Sequence, residues 1–214
     1  MRAHCSSLRA STSITDLQKP AWNLICSQRG IPKSSLQPRT DILFVPGGPG
    51  QLDLMNDAQT LQFLRIKASE ARFVTSVCTG SLVLAAAGLL QGFRSTCHWL
   101  SLPQLARMGA IPVQERVVVD RSRVTGAGVT SGIDFALALT AQLFGEERAQ
   151  LVQLAMEYDP QPPFVGGSIS TAKEAHIDQL KAFSAAFQER RVNAARLAAE
   201  RCELRLETGR TCDS

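Results

Sequence analysis

The sequence predicts an α/β protein in which a mostly parallel central sheet is sandwiched between helices. Three observations carry that prediction. Two short apolar or β-branched runs, Ile42–Val45 and Phe73–Val77, have the length and composition of strands buried on both faces. Segments with helical spacing follow them, so strands and helices alternate along the chain. The 214 residues, 44% hydrophobic and 20% charged, suffice for one domain with a sizeable core.

The elements follow in order. Residues 1–40 hold scattered Ser, Thr, Pro and basic residues, with only "AWNLIC" as a short strand, and read as an irregular N-terminal segment. The domain proper spans 41–200. It opens with the strand 42–45, stopped by Pro46-Gly47-Gly48. Residues 57–70 are helical, with Leu61, Leu64 and Ala68 on one stripe and Phe63 off it. Strand 73–77 leads into a helix expected over Thr79–Leu90 and closed by Gly92. "RSTCHW" reads as a short strand and "SLPQLARMG" as a short helix ended by Gly109. "ERVVVDRSRVTGAG" reads as two strands joined at Asp120-Arg121-Ser122. "TSGIDFALALTAQLFG" is a helix with Ile133, Leu137 and Phe144 on one side, and "EERAQLVQLAMEY" continues as another. Thr171 and Glu174 have capping-box spacing, which predicts a last helix with Ile177, Leu180, Phe183 and Phe187 as a packing stripe or dimer seam. Residues 201–214 are expected to be a tail. No internal repeat is present.

Composition excludes several functions. Residues 1–40 carry six cations against Asp16 alone, while the remaining body is near neutral. A basic tail on a neutral body is not a nucleic-acid-binding face. The longest apolar run, "SLVLAAAGLL", is too short to span a membrane. The six cysteines show no CxxC and no paired His spacing, so no metal site is expected. They read as mostly free thiols in a reducing, cytoplasmic compartment.

Chemistry concentrates at "VTSVCTGSL". A strand, a sharp turn and a helix with a nucleophile at the turn lift one side chain above the sheet's carboxyl edge. Small Ser76 and Thr79 leave room for the turn, and Gly80 lets the helix start pack closely. Cys78 is the candidate nucleophile, because a helix start favours the thiolate. The alternative for a lone cysteine in an apolar region is an inert core residue. An adduct on Cys78 needs donors for its charge, and the backbone N–H groups of Thr79 and of Gly47-Gly48 are the candidates.

Together, "ILFVPGGPG", "FVTSVCTGSLVLAAAGLLQG", "STCHW" and "TGAGVTSGIDFALAL" resemble the DJ-1/PfpI superfamily. "GAIPVQERVV" and "EYDPQPPF" add a resemblance to its isocyanide hydratase-like branch. The resemblance implies a flavodoxin-like, class I glutamine amidotransferase-like three-layer sandwich and a homodimer needing no cofactor. It implies that Cys78 adds to an isocyanide to form a thioimidate, which water releases as an N-substituted formamide. Catalytic roles then fall on Cys78 and Thr79, oxyanion binding on Gly48 and Thr79, and a place near the site on His98. His98 equally suits a hydrogen-bonded structural residue.

One departure from the family is marked. Family members begin with a strand and a loop carrying an acid that reaches the cysteine. Here the 40 residues before "ILFVPGG" show neither, so the first strand is expected to be lacking. Asp53 in "QLDL" follows the Gly-Gly turn and occupies another place, and the surroundings of Asp16 do not match. Losing a general acid costs ~10²–10⁴ in rate, which implies an impaired hydratase. The other readings are a regulatory or redox-sensing relative, or an amidotransferase or peptidase that would need His98 with an acidic orienter.

Overall fold

The computed structural model describes residues 40–207, with side chains described through Cys202. The expectations for residues 1–39, including "AWNLIC", Asp16 and the lack of a first strand, lie outside the described residues. In chain order the elements are β1 (Ile42–Val45), α1 (Gln51–Leu54), α2 (Ala58–Glu70), β2 (Phe73–Val77) and α3 (Gly80–Ala86). Next come β3 (Arg94–Ser95), a 3₁₀ turn (Trp99–Ser101), α4 (Leu102–Arg107), β4 (Ile111–Pro112), β5 (Val117–Asp120) and β6 (Arg123–Gly126). The described chain ends with α5 (Ser131–Phe144), α6 (Glu146–Ala155) and α7 (Glu174–Glu207).

The main sheet has the order β1-β2-β6-β5. Its first three strands are parallel, with Ile42 opposite Phe73 and Val77 opposite Gly126. β5 runs antiparallel to β6 through a tight turn in which Arg121 has φ 54°. β3 and β4 pair in a separate parallel ribbon. β2 is buried along Phe73–Ser76, as a strand covered on both faces must be.

Two cores make the three layers. On one face, Leu43, Val45 and Val74 meet Met55, Leu64, Leu82, Leu84, Leu105, Ala195 and Ala198 from the first four helices and α7. On the other, Phe73 and Val124 meet Phe135 and Leu139 of α5. The fold is a flavodoxin-like α/β sandwich.

Several elements depart from their expected bounds, each for a local reason. α3 stops at Ala86 because Gly88, at φ 80°, ends it. The Gly88 and Leu89 amides donate back to Ala85 and Leu84 in a Schellman closure. The strand expected over "RSTCHW" pairs only at Arg94–Ser95, and His98 instead caps the 3₁₀ turn. α5 turns Ser131, Phe135 and Leu139 inward and leaves Ile133 and Phe144 of the sequence-read stripe exposed. That helix is apolar nearly all round, so periodicity left its phase undetermined. Gly126 sets the phase, since a Cβ there would lie 3.1 Å from Ser131 Oγ and 3.2 Å from Phe135 Cβ.

The Thr171 hydroxyl engages Ser168 rather than a helix amide, and α7 begins at Glu174. α7 runs past residue 200, where Arg201 donates to Met55 O at 2.7 Å, so the expected tail begins as packed helix. Its stripe divides. Phe187 packs against the core, whereas Leu180 and Phe183 face solvent within this chain.

Candidate active site

The parallel register brings the turns after β1, β2 and β6 to one edge of the sheet. At the turn after β2, Cys78 has φ 56°, in the left-handed region that L-residues other than Asn, Asp and Gly seldom adopt. Its amide donates to both Gly126 O (3.0 Å) and Ala127 O (2.7 Å), so the end of β6 holds the strained residue in place. The thiol is half-buried, neither sealed in the core nor free on the surface.

Two glycines make the close approach that this turn requires. A Cβ on Gly47 would lie 2.7 Å from Cys78 Cβ and 2.8 Å from the Thr79 amide nitrogen. A Cβ on Gly80 would lie 2.1 Å from Val45 O. The turns after β1 and β2 are also tied by hydrogen bonds. Gly48 N–H donates to Thr79 Oγ1 at 3.0 Å, and that hydroxyl lies 3.3 Å from Gly48 O. Among the described residues the Thr79 amide has no protein acceptor, which leaves it able to donate to an adduct. The Gly48 amide, in contrast, is turned onto Thr79, so it would serve an oxyanion only by leaving that hydroxyl.

Beneath the elbow lies a buried polar ladder that sequence reasoning did not foresee. Ser76 and Ser81 hydroxyls pair at 2.9 Å, Ser81 donates to Thr96 O at 2.7 Å, and the Thr96 amide donates to Thr125 Oγ1 at 2.9 Å. It cross-links β2, α3, the segment after β3 and β6. Its signal was the placing of Ser and Thr inside otherwise apolar strands, where a polar group persists only with a partner.

His98 is half-buried, and its Nδ1 accepts from the Leu100 amide at 3.3 Å. Its ring stacks on Trp99 and lies 3.7 Å from where a Cβ on Gly128 would stand. Burial and the nearby Arg191 charge hold its pKa below the usual value. With Nδ1 accepting from the Leu100 amide, that nitrogen is not donating to an acidic orienter as the histidine of a Ser-His-Asp triad does. Asp53 is exposed on α1, and among the described residues no carboxylate hydrogen-bonds to Cys78. Neither is there a group of residues able to hold a metal among those described.

Behind the elbow sit Cys97 and Arg191. Cys97 is buried, and burial followed by the charge of Cys78 pushes its thiol far up, so it stays protonated. Arg191 reaches in from α7 and donates to Ser101 Oγ at 2.8 Å. No sequence signal marked it, since "ERRVNAAR" reads as a solvated helical face. Beside Trp99 opens a pocket of about 380 Å³, lined also by Ile169, His176, Ile177 and Leu180.

A parallel α/β sandwich with a half-buried thiol at a strained strand-to-helix turn defines the class: an α/β sandwich protein with a cysteine elbow at the carboxyl edge of its sheet. Residues 31–142 match the model of the DJ-1/PfpI family, and the chain belongs to that family. It is 52% identical over 168 residues to the isonitrile hydratase of Pseudomonas putida, covering 78% of this chain and 74% of that protein. A THiJ/PfpI family protein from Pseudomonas syringae superposes with a TM-score of 0.71 at 45% identity, over 76% of this chain and 66% of that one. The HTH-type transcriptional regulator CdhR of Pseudomonas aeruginosa is 37% identical over 125 residues, which are 55% of this chain and 35% of the regulator. The chain thus spans well under half of that regulator's length. Among the described residues no helix is long and apolar enough to cross a membrane.

Proposed function

We propose that the chain hydrates isocyanides to N-substituted formamides with Cys78 as the nucleophile. The observation that carries this reading is the strained, half-exposed Cys78 in a chain 52% identical to an isonitrile hydratase. The Cys78 sulfur adds to the terminal carbon of R–N≡C, and that carbon takes a proton to give the thioimidate R–N=CH–S–Cys. Water adds to the same carbon, one of its protons goes to the nitrogen and the other to the departing sulfur, and the formamide R–NH–CHO is released with the Cys78 thiol restored. The Thr79 N–H, without a protein acceptor among the described residues, is the donor for the charge on the adduct, and its hydroxyl holds the Gly48 turn. Protons are drawn from solvent, since no described carboxylate touches the thiol. No cofactor enters this sequence of steps.

The assembly proposed is a cytoplasmic homodimer. Phe183 is 90% exposed, Phe164 84% and Val165 92%, an apolar surface that a second copy would cover. Incubation of the purified protein with an aryl isocyanide should release the formamide, and Cys78→Ala should abolish it. Turnover undiminished in that variant would overturn the assignment. A second reading, a redox-sensing or regulatory protein, is favoured by the 37% identity to a transcriptional regulator. It requires peroxide to oxidise Cys78 selectively to the sulfenic acid, and equal oxidation of all cysteines would count against it.

A further inference from the structure

Among the described residues, three that are not glycine have positive φ: Cys78 (56°), Arg121 (54°) and Glu157 (50°). The hairpin between β5 and β6 accounts for Arg121. Cys78 and Glu157 are far apart in sequence, yet a run of hydrogen bonds links the neighbourhoods of the two.

The run starts at the elbow. The Cys78 amide donates to Ala127 O at 2.7 Å, and the Ala127 amide donates to Arg116 O at 2.9 Å. The Arg116 side chain then reaches the far end of the same turn. Its Nη2 donates to Thr130 O at 3.0 Å, and its Nε donates to one carboxylate oxygen of Asp134. Backbone and guanidinium of one residue therefore hold both ends of the turn between β6 and α5. The second oxygen of Asp134 accepts from the Tyr158 hydroxyl at 3.1 Å.

Glu157 aims that hydroxyl. α6 ends in a Schellman closure, with the Glu157 amide donating to Leu154 O at 3.0 Å and the Tyr158 amide to Gln153 O at 3.1 Å. The left-handed position of such a closure usually holds glycine, but here a glutamate bears the strain. Tyr158 follows it, half-buried, and its hydroxyl turns back onto the first turn of α5.

The Arg116 and Asp134 side chains are 53% and 31% exposed, so their pairing adds little to global stability. Its importance is local. Ala127 O, on the turn it braces, is one of two acceptors that keep Cys78 at its strained φ. Val129, in the middle of that turn, is 79% exposed and gives it no packing anchor.

We propose that Arg116, Asp134 and Tyr158 form a positioning clamp that fixes the 127–130 turn and, through it, the backbone of Cys78. The three act through Ala127 rather than on a substrate. The proposal rests on Cys78 being the reactive residue of the reading above, but not on the identity of the substrate.

The test follows amide hydrogen exchange in the full chain by NMR, with formamide release measured in parallel. Tyr158→Phe removes one hydroxyl, and Arg116→Met removes the guanidinium while keeping the backbone bond to Ala127. Exchange at the Cys78 and Ala127 amides should quicken about two- to threefold in Tyr158→Phe and about fivefold in Arg116→Met. The Phe73 and Val74 amides, which donate to Asp41 O and Ser122 O at the other end of β2, are the controls and should hardly change. General loosening would quicken all four amides alike. That result, or unchanged exchange at Cys78 and Ala127, would overturn the proposal.

The kcat per folded chain should fall about threefold in Tyr158→Phe and about tenfold in Arg116→Met, with KM unchanged. A raised KM at constant kcat would place these residues on the substrate and overturn the proposal. In the double variant the kcat loss should be smaller than the product of the two single losses, since both act through Asp134. A full product would mean independent action and count against the clamp. Should Arg116→Met not fold, Tyr158→Phe alone decides the matter by the same amides. If the unaltered chain releases no formamide, the hydratase reading falls, and the exchange rates still decide this one.

Discussion

Gly80→Ala tests whether the elbow depends on close backbone contact. The new Cβ would stand 2.1 Å from Val45 O, 2.8 Å from Pro46 O and 2.9 Å from Pro46 C. All three are backbone atoms, so no side chain can swing aside. Restoring ordinary contact requires the start of α3 to move from the end of β1 by more than about 1 Å. Overpacking of this kind costs about 1–3 kcal/mol, and the absence of flexible neighbours places it near the top. The helix propensity gained by Ala returns at most about 1 kcal/mol. The net loss is then about 2 kcal/mol, or roughly 4–8 °C in Tm for a domain of this size. The same shift moves Cys78 and Thr79 against Gly47, and a displacement of about 1 Å at a reacting group costs on the order of 100-fold in rate. Urea unfolding followed by far-UV circular dichroism measures the first effect, and Cys78 alkylation and formamide release the second. Gly132→Ala is the control. Nothing lies within 4 Å of a Cβ there, so it should be neutral or stabilising by up to about 1 kcal/mol. A Gly80→Ala protein with wild-type urea midpoint and turnover would refute the reasoning.

Two further outcomes follow from the described side chains. The His98 pKa is held below its ordinary value, so the unfolded chain takes the proton first as pH falls. Stability is therefore unaffected well above pH 6.5 and lost as pH drops from about 6.5 through the folded pKa. Urea midpoints at pH 7.5 and 5.5 should show this loss, and it should shrink in His98→Gln. Phe183→Glu places a charge on the exposed stripe of α7. Sedimentation should show a dimer for the unaltered chain and a monomer for this variant, with the circular dichroism spectrum unchanged; an identical sedimentation coefficient would remove Phe183 from the proposed seam.

The legible parts of the molecule were those specified by local chemistry. Ile42–Val45 and Phe73–Val77 were readable because a strand buried on both faces has a continuous apolar run between breakers. The hairpin at Asp120–Ser122 and the helix stop at Gly109, φ 80°, were readable because turns demand particular residues. The elbow was readable because strand, thiol, small residue and glycine are consecutive. The inward face of α5 was not, since a helix apolar on most sides carries no phase information. Thr171 misled because its hydroxyl found Ser168 nearer than a helix amide, and local hydroxyl bonds compete with capping.

By itself the sequence determined the strand–turn–helix path through Cys78, the alternation that makes a parallel sheet, and the resemblance that points to isocyanides. These are properties of neighbouring residues, and neighbours are written side by side. Only the tertiary structure decided that Gly126 sets the phase of α5, that Ser81 reaches Thr96, and that Arg191 lies buried against Ser101. Arg191 and Ser101 are 90 residues apart, and their contact exists only because α7 folds back over α4. Side-chain environment depends on what the rest of the chain brings near, so an arginine that reads as a surface cation becomes, once folded, a charge sealed within the protein.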